Sequence, residues 1–216
     1  MKKAVIFDLD GLLIDSEIIS YNMYADLLRK YQFRFSLERY ARQYSGKNEV
    51  TNMQNLVFTY HLPITVEQGL AYVDALEKEY FAKGVPLKPG ARELLRFLKH
   101  SKVKILLASS STRERALFVL AQNGIESYFD TMVFGPEIEH GKPAPDIFIK
   151  AREKSGEASG DCLVLENSEA GIRAAYAAGI DVICIPDMKR PDGAFLSAAA
   201  AVLPSLLDVP AWLETH

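Results

Sequence analysis

The sequence predicts an α/β fold, in which a Rossmann-like parallel sheet with helices on both faces is joined to a small all-helical domain. From Val103 onward, short runs of valine, isoleucine and leucine alternate with helical patterns, as expected of strands covered on both faces. Residues 16–84 show only the helical spacing of apolar side chains. We therefore predict a discontinuous α/β core, residues 1–15 and 85–216, with the helical domain, residues 16–84, inserted after the first strand.

Five strands are expected where the apolar runs are continuous. They are residues 4–7, 103–108, 131–134, 162–165 and 182–185. Helices are expected between these strands and within the inserted domain, where residues 37–44 and 50–60 carry the helical pattern.

Serine and threonine mark several of the predicted helix starts. Ser111 with Glu114, and Thr65 with Gln68, have the spacing of a capping box, in which two side chains satisfy the first free amides of a helix. Ser168 is expected to cap the helix that follows the fourth strand.

Composition excludes several classes of protein. The 216 residues carry a net charge of -3 and 49% hydrophobic residues, so neither a nucleic-acid partner nor a membrane partner is expected. No apolar stretch is long enough to span a bilayer, and we predict a cytoplasmic protein. Cys162 and Cys184 lie in apolar runs and are interpreted as small buried side chains, without a disulfide or zinc site.

Polar residues follow four of the predicted strands. In open α/β sheets, ligands bind beyond the carboxyl ends of the strands, so these groups are expected to meet in one crevice. The residues are Asp8 and Asp10, Ser109 and Ser110, Lys142, and Glu166 with Asn167.

These residue types suit phosphate-ester chemistry. A carboxylate such as Asp8 can act as a nucleophile and form an aspartyl-phosphate, and Asp10 can exchange a proton with the leaving alcohol and with water. Two carboxylates held close together repel unless a cation lies between them or one of them is protonated, and Mg²⁺ accepts such oxygen ligands. Ser109 would donate a hydroxyl to a phosphoryl oxygen, and Lys142 would offset its negative charge.

Each signal has a simpler interpretation when taken alone. The two aspartates can form a turn, the serines can cap a helix, Lys142 can be a solvated surface lysine, and Glu166 can belong to a helix entry. All four simple interpretations would have to coincide at the ends of four strands. The joint pattern therefore favours a functional site.

Four segments resemble the motifs of the haloacid dehalogenase-like (HAD) superfamily. They are FDLDG at residues 7–11, LLASSS at 106–111, GKPAPD at 141–146 and LENSEAGI at 165–172. The helical insert is similar to the cap of the subgroup that holds phosphoglycolate phosphatases, sugar-phosphate phosphatases and β-phosphoglucomutase. The resemblance covers nearly the whole chain.

The resemblance implies a nucleophile at Asp8 and an acid/base at Asp10, with phosphate bound by Ser109, Ser110 and Lys142. It also implies Mg²⁺ bound by the Asp8 side chain, the Asp10 backbone carbonyl and the fourth motif. That motif commonly supplies aspartate, but here it supplies Asn167, with Glu166 beside it as a direct or outer ligand. Because an amide oxygen is neutral, we expect weaker metal binding.

The expected enzyme is a phosphoric monoester hydrolase that acts on small phosphomonoesters such as sugar or nucleoside phosphates. Gly46 and Lys47 look like the cap loop that contacts the substrate, although a solvated lysine in a helix–helix turn fits the sequence equally well. Two alternatives stay open: a phosphosugar mutase of the β-phosphoglucomutase type, and a non-catalytic binding protein on the same fold. The sequence predicts no oligomeric state.

Overall fold

A computed structural model describes residues 2–216, and the chain divides into two compact units. The core unit comprises the chain up to Asp15 and Pro86–His216, and the helical unit comprises Ser16–Val85. Among the described residues, no helix is long and apolar enough to cross a membrane.

The core unit contains one parallel sheet of six strands. In chain order the strands are β1 (Ala4–Phe7), β2 (Lys104–Ser109), β3 (Thr131–Phe134), β4 (Cys162–Glu166), β5 (Asp181–Cys184) and β6 (Ala201–Val202). Their order across the sheet is β3-β2-β1-β4-β5-β6, and every neighbouring pair is parallel. The predicted fold class is confirmed, and the two-residue β6 is an addition to the five expected strands.

Ten α-helices accompany the sheet in the described chain. They are α1 (Ser16–Lys30), α2 (Leu37–Gln43), α3 (Glu49–Tyr60), α4 (Val66–Lys83), α5 (Ala91–His100), α6 (Arg113–Gln122), α7 (Asp146–Ser155), α8 (Glu169–Ala177), α9 (Gly193–Leu196) and α10 (Val209–Thr215). The first four form the helical unit, and the other six belong to the core unit.

The central strands are buried because helices cover both faces of the sheet. All four residues of β1 and all five of β4 are buried. Ile6, Val164 and Phe148 of α7 belong to one apolar cluster with no exposed surface at these side chains. Burying each such side chain contributes about 1.5–3 kcal/mol to stability, so this cluster fixes the strand ends that carry the polar residues.

The helix caps confirm two predictions and correct a third. Thr65 and Gln68 form the expected capping box, and the amide of Gly171 donates to Oγ of Ser168 at 3.0 Å. The predicted box of Ser111 with Glu114 is wrong, because α6 begins one residue later and Thr112 caps it. The hydroxyl of Ser111 instead donates to Oδ2 of Asp10 at 2.8 Å, a contact between residues about a hundred positions apart.

Aromatic side chains hold the helical unit together. Tyr24, Phe35, Tyr40, Tyr44 and Tyr60 pack with ring centroids 5.2–6.5 Å apart. Such ring pairs contribute about 0.5–1.5 kcal/mol each beyond the burial of their surface. No strand occurs within Ser16–Val85, all of which the structure describes, in agreement with the helical pattern of this segment.

Candidate active site

Asp8 lies directly after β1 at the centre of the sheet and is 8% exposed. Its amide donates to the carbonyl of Leu165 on β4 at 3.1 Å, so the backbone of the neighbouring strand fixes its position. The Nζ atom of Lys142 donates to Oδ1 of Asp8 at 2.5 Å and to Oε1 of Glu166 at 2.7 Å. A third bond from Lys142 reaches the carbonyl of Ala108 on β2 at 3.3 Å. The ends of three strands thus meet at one buried ammonium.

Glu166 ends β4 and is held by the start of α8. Its Oε2 atom accepts hydrogen bonds from the amides of Asn167 and Ser168, both at 2.8 Å, and from the hydroxyl of Ser168 at 2.9 Å. A negative charge is stabilised at a helix N-terminus, where backbone amides have no partner within the helix. A Cβ atom at Gly171 would overlap the Glu166 carboxylate, so only glycine leaves room for this arrangement.

Burial and mutual charge set the protonation of this cluster. Burial raises the pKa of Asp8 to about 7, although the ammonium of Lys142 opposes the increase. Burial lowers the pKa of Lys142, but the carboxylates of Asp8 and Glu166 outweigh it and hold that pKa above its usual range. Lys142 therefore stays positively charged at neutral pH and partly offsets two buried acids.

Asp10 lies in the tight turn that follows β1, where the amide of Gly11 donates to the carbonyl of Ile14 at 2.9 Å. Its Oδ2 atom accepts bonds from the hydroxyl of Ser111 at 2.8 Å and from Nη1 of Arg115 at 2.9 Å. The sequence does not predict Arg115 as a site residue. Its position on α6 carries no motif, and only the fold brings it to Asp10.

The two predicted phosphate-binding serines differ in their surroundings. Ser109 ends β2, is 1% exposed, and accepts a hydrogen bond from the amide of Ser111 at 3.1 Å. Ser110 is exposed, and its carbonyl lies so close to Gly135 that a Cβ atom there would overlap it. The structure brings Ser109 to the same strand ends as Asp8, whereas the side chain of Ser110 lies at the surface.

Asn167 has the oxygen donor expected of a cation ligand. Its Oδ1 atom is buried and has no hydrogen-bond partner within residues 2–216. Carboxylate, backbone carbonyl and amide oxygens are the hard donors that Mg²⁺ prefers, so Asp8, Asp10 and Asn167 fit this ion. No group of three or more His, Cys, Asp or Glu side chains in the described chain is arranged to hold a metal. A cation here would depend on this mixed set of donors.

Glu166 fits the role of an outer residue better than that of a ligand. Both of its oxygens already accept hydrogen bonds, one from Lys142 and the other from Asn167 and Ser168, which directly precede α8. The two predicted substrate residues of the helical unit, Gly46 and Lys47, are exposed in the turn between α2 and α3.

This arrangement gathers acidic and basic side chains at the carboxyl ends of parallel strands, where open α/β sheets bind their ligands. The chain belongs to the haloacid dehalogenase-like hydrolases, because the family model of that description matches residues 5–185. The family predicted from the four motifs is thereby confirmed, and curated relatives that are named as phosphatases confirm the predicted class of enzyme.

Two curated relatives and one solved structure illustrate the similarity. The chain is 32% identical to the phosphorylated carbohydrates phosphatase of Thermotoga maritima, over 93% of this chain and 92% of the relative. It is 35% identical to the probable pseudouridine-5′-phosphatase of Drosophila melanogaster, over 94% of this chain and 89% of the relative. A T. maritima structure provisionally assigned as a β-phosphoglucomutase has a TM-score of 0.84 at 30% identity, covering 99% of both chains.

Proposed function

We propose that this protein is a magnesium-dependent phosphatase that hydrolyses small phosphomonoesters through an aspartyl-phosphate on Asp8. The observation that carries the proposal is the buried cluster in which Lys142 joins Asp8 to Glu166 at the strand ends. A carboxylate fixed in this way is positioned to attack, and the adjacent ammonium stabilises the negative charge of a phosphoryl group.

The proposed reaction has two steps. The carboxylate oxygen of Asp8 bonds to phosphorus as the phosphorus–oxygen bond of the ester breaks, and Asp10 gives its proton to the departing alkoxide. Water then attacks the same phosphorus, Asp10 takes up a proton, and the release of phosphate restores the carboxylate of Asp8. Ser111 and Arg115 hold the carboxylate of Asp10 during both transfers. A bound Mg²⁺ would reduce the repulsion between the carboxylate of Asp8 and the phosphoryl oxygens.

The proposed substrate class is based on the names of two relatives, and the proposed substrate contact is Lys47 of the helical unit. The phosphatases from T. maritima and D. melanogaster are named for a phosphorylated carbohydrate and for a nucleoside phosphate. We infer that this chain also acts on a sugar or nucleoside monophosphate, with the helical unit as its cap domain and Lys47 as a substrate contact.

The test of the nucleophile is the variant Asp8→Asn, because an amide does not attack phosphorus. We expect hydrolysis of p-nitrophenyl phosphate to fall by at least about 10³-fold, with the circular dichroism spectrum unchanged. The matched control is Asp181→Asn, which makes the same substitution at the surface of the core unit and should retain full activity. Activity of the Asp8→Asn variant within tenfold of wild type would overturn the assignment.

A mutase is the second candidate, because the provisional β-phosphoglucomutase structure shares the fold. A mutase must hold a second phosphate and protect the phosphoenzyme from water. Ser20 and Lys47 line one small cavity of the helical unit, about 150 Å³, which also carries Glu17, Glu49 and Glu77. Lysine lacks the two-pronged donor geometry with which arginine binds phosphate. These residues favour hydrolysis.

The two candidates differ in their products. Supplied with β-glucose 1-phosphate and a trace of the 1,6-bisphosphate, the protein should release inorganic phosphate and form little glucose 6-phosphate. Both products can be followed in one reaction by coupled assays. Formation of glucose 6-phosphate much faster than free phosphate would identify a mutase.

A further inference from the structure

Asp187 is a buried acid that the four motifs do not include. It lies three residues after β5, and its side chain is 5% exposed. The Nζ atom of Lys88 donates to its Oδ1 atom at 2.5 Å. Its other oxygen, Oδ2, is buried and has no hydrogen-bond partner in the part of the chain that the structure describes. Since a buried unpaired carboxylate oxygen is costly, this atom calls for an explanation.

The unpaired oxygen of Asp187 and the amide of Asn167 border the same small space beside Gly11. A Cβ atom at Gly11 would overlap Nδ2 of Asn167 and would lie 2.9 Å from Oδ2 of Asp187. The amide nitrogen, rather than the amide oxygen, is therefore the end of Asn167 that faces this space. Gly11 has a φ of +78°, a left-handed conformation in which glycine is also the residue least strained.

The chemistry of the two groups explains this orientation. An ionised carboxylate only accepts hydrogen bonds, so it attracts the NH₂ end of an amide and repels the oxygen end. Without such a neighbour, the two ends of an asparagine side chain can exchange places by rotation. With it, Nδ2 is kept beside Gly11, and Oδ1 is the end of the amide directed away from Gly11.

We infer that Asp187 is a positioning residue for the cation site and that it acts through Asn167. Oδ2 of Asp187 is not hydrogen-bonded to Asn167 in this structure, but its negative charge attracts the amide nitrogen across the space beside Gly11 and leaves the amide oxygen for the metal. Residues behind a metal ligand commonly orient it in this way. The inference rests on the proposed magnesium dependence and adds a residue to it.

The ion pair with Lys88 offers a competing explanation for the buried carboxylate of Asp187. Experiment can distinguish this explanation from the orientation of Asn167. If Asp187 only anchors Lys88, then removing either partner should have the same effect on magnesium binding. If Asp187 orients Asn167, then only the loss of the carboxylate should weaken binding. Lys88→Met breaks the ion pair and leaves the carboxylate in place, which makes it the matched variant.

The test is the dissociation constant for Mg²⁺, measured by isothermal titration calorimetry on the full chain without substrate. We expect Asp187→Ala to raise this constant about tenfold, a typical effect of losing an outer residue at a metal site. Lys88→Met and the surface control Asp181→Asn should leave it within about twofold. If Asp187→Ala fails to fold, Asp187→Asn gives the same comparison, with a smaller increase because an amide oxygen still carries a partial negative charge.

A second background tests the action through Asn167. Aspartate at position 167 has two equivalent oxygens, so in Asn167→Asp the further change Asp187→Ala should no longer weaken magnesium binding. An unchanged constant in Asp187→Ala, equal increases in Asp187→Ala and Lys88→Met, or an equal loss in both backgrounds would each overturn the inference and leave the proposed function standing. Absence of magnesium binding by the wild-type protein would overturn the proposed metal dependence together with the inference.

Discussion

The core unit and the helical unit carry their candidate functional residues in opposite ways. In the core unit, Asp8, Lys142 and Glu166 are buried at strand ends and joined by bonds of 2.5–2.7 Å. In the helical unit, Gly46 and Lys47 are exposed in a turn between two helices. Groups that perform chemistry need fixed positions, whereas groups that select a substrate can vary on an exposed loop. The difference predicts that substitutions will damage the two sets to very different degrees.

The largest effect is expected when Lys142 is replaced by methionine, which keeps the length of the side chain and removes its charge. Asp8 and Glu166 would then be buried as two acids without a cation, which costs several kcal/mol unless one is protonated. We expect a loss of at least about 10³-fold in kcat/KM for p-nitrophenyl phosphate, because the charge that we propose to stabilise the phosphoryl group is also lost.

The control for this prediction is Lys150→Met on α7. Lys150 also pairs with an acid, Glu137, but its side chain is 37% exposed, whereas that of Lys142 is 7% exposed. Retention of more than a tenth of the activity by the Lys142 variant would show that the buried cluster is not needed for turnover.

The sequence alone predicts the elements and residues that depend on local pattern. The five main strands follow from continuous apolar runs, and the strand-end rule brings together Asp8, Ser109 and Lys142, which the structure places around β1 and β2. The bond of Arg115 with Asp10 could not be predicted, because it joins residues 105 positions apart without any motif. The cap predicted at Ser111 is wrong for a similar reason. Its hydroxyl bonds to Asp10, which is distant in the sequence, and the residues around Ser111 do not indicate that partner.

An intermediate effect on activity is expected from Gly171→Ala, which displaces Glu166 within the cluster of Asp8, Lys142 and Glu166. A Cβ atom there would overlap the carboxylate of Glu166, so that side chain must move and its bond to Lys142 is strained or lost. We expect a loss of about 10²-fold in kcat/KM and a decrease of about 1–3 kcal/mol in the free energy of unfolding, as for other overpacked sites.

The matched glycine is Gly179, which follows the other end of α8. Its φ is +67°, but nothing lies within 4 Å of a Cβ atom there, so Gly179→Ala should cost only about 1 kcal/mol of stability and leave kcat/KM unchanged. Urea unfolding and steady-state kinetics on the two variants separate backbone strain from displacement of Glu166. Equal losses of activity in both would contradict the positioning of Glu166 by Gly171.

The smallest effect is expected from Lys47→Ala in the helical unit. Lys47 is exposed, and an exposed charge pair contributes only about 0.2–1 kcal/mol because water screens it.

If Lys47 contacts an anion or hydroxyl of the substrate, KM for the preferred sugar or nucleoside phosphate should rise about two- to fivefold, with kcat unchanged. The kinetics of p-nitrophenyl phosphate, which has no sugar hydroxyls and no anionic group besides the reacting phosphate, should not change if Lys47 contacts one of those additional groups. Lys78→Ala on α4 removes a similarly exposed lysine and serves as the control. Equal KM values for Lys47→Ala and wild type would identify Lys47 as a solvated lysine, whereas a large fall in the turnover number would mean that the exposed turn takes part in the chemistry after all.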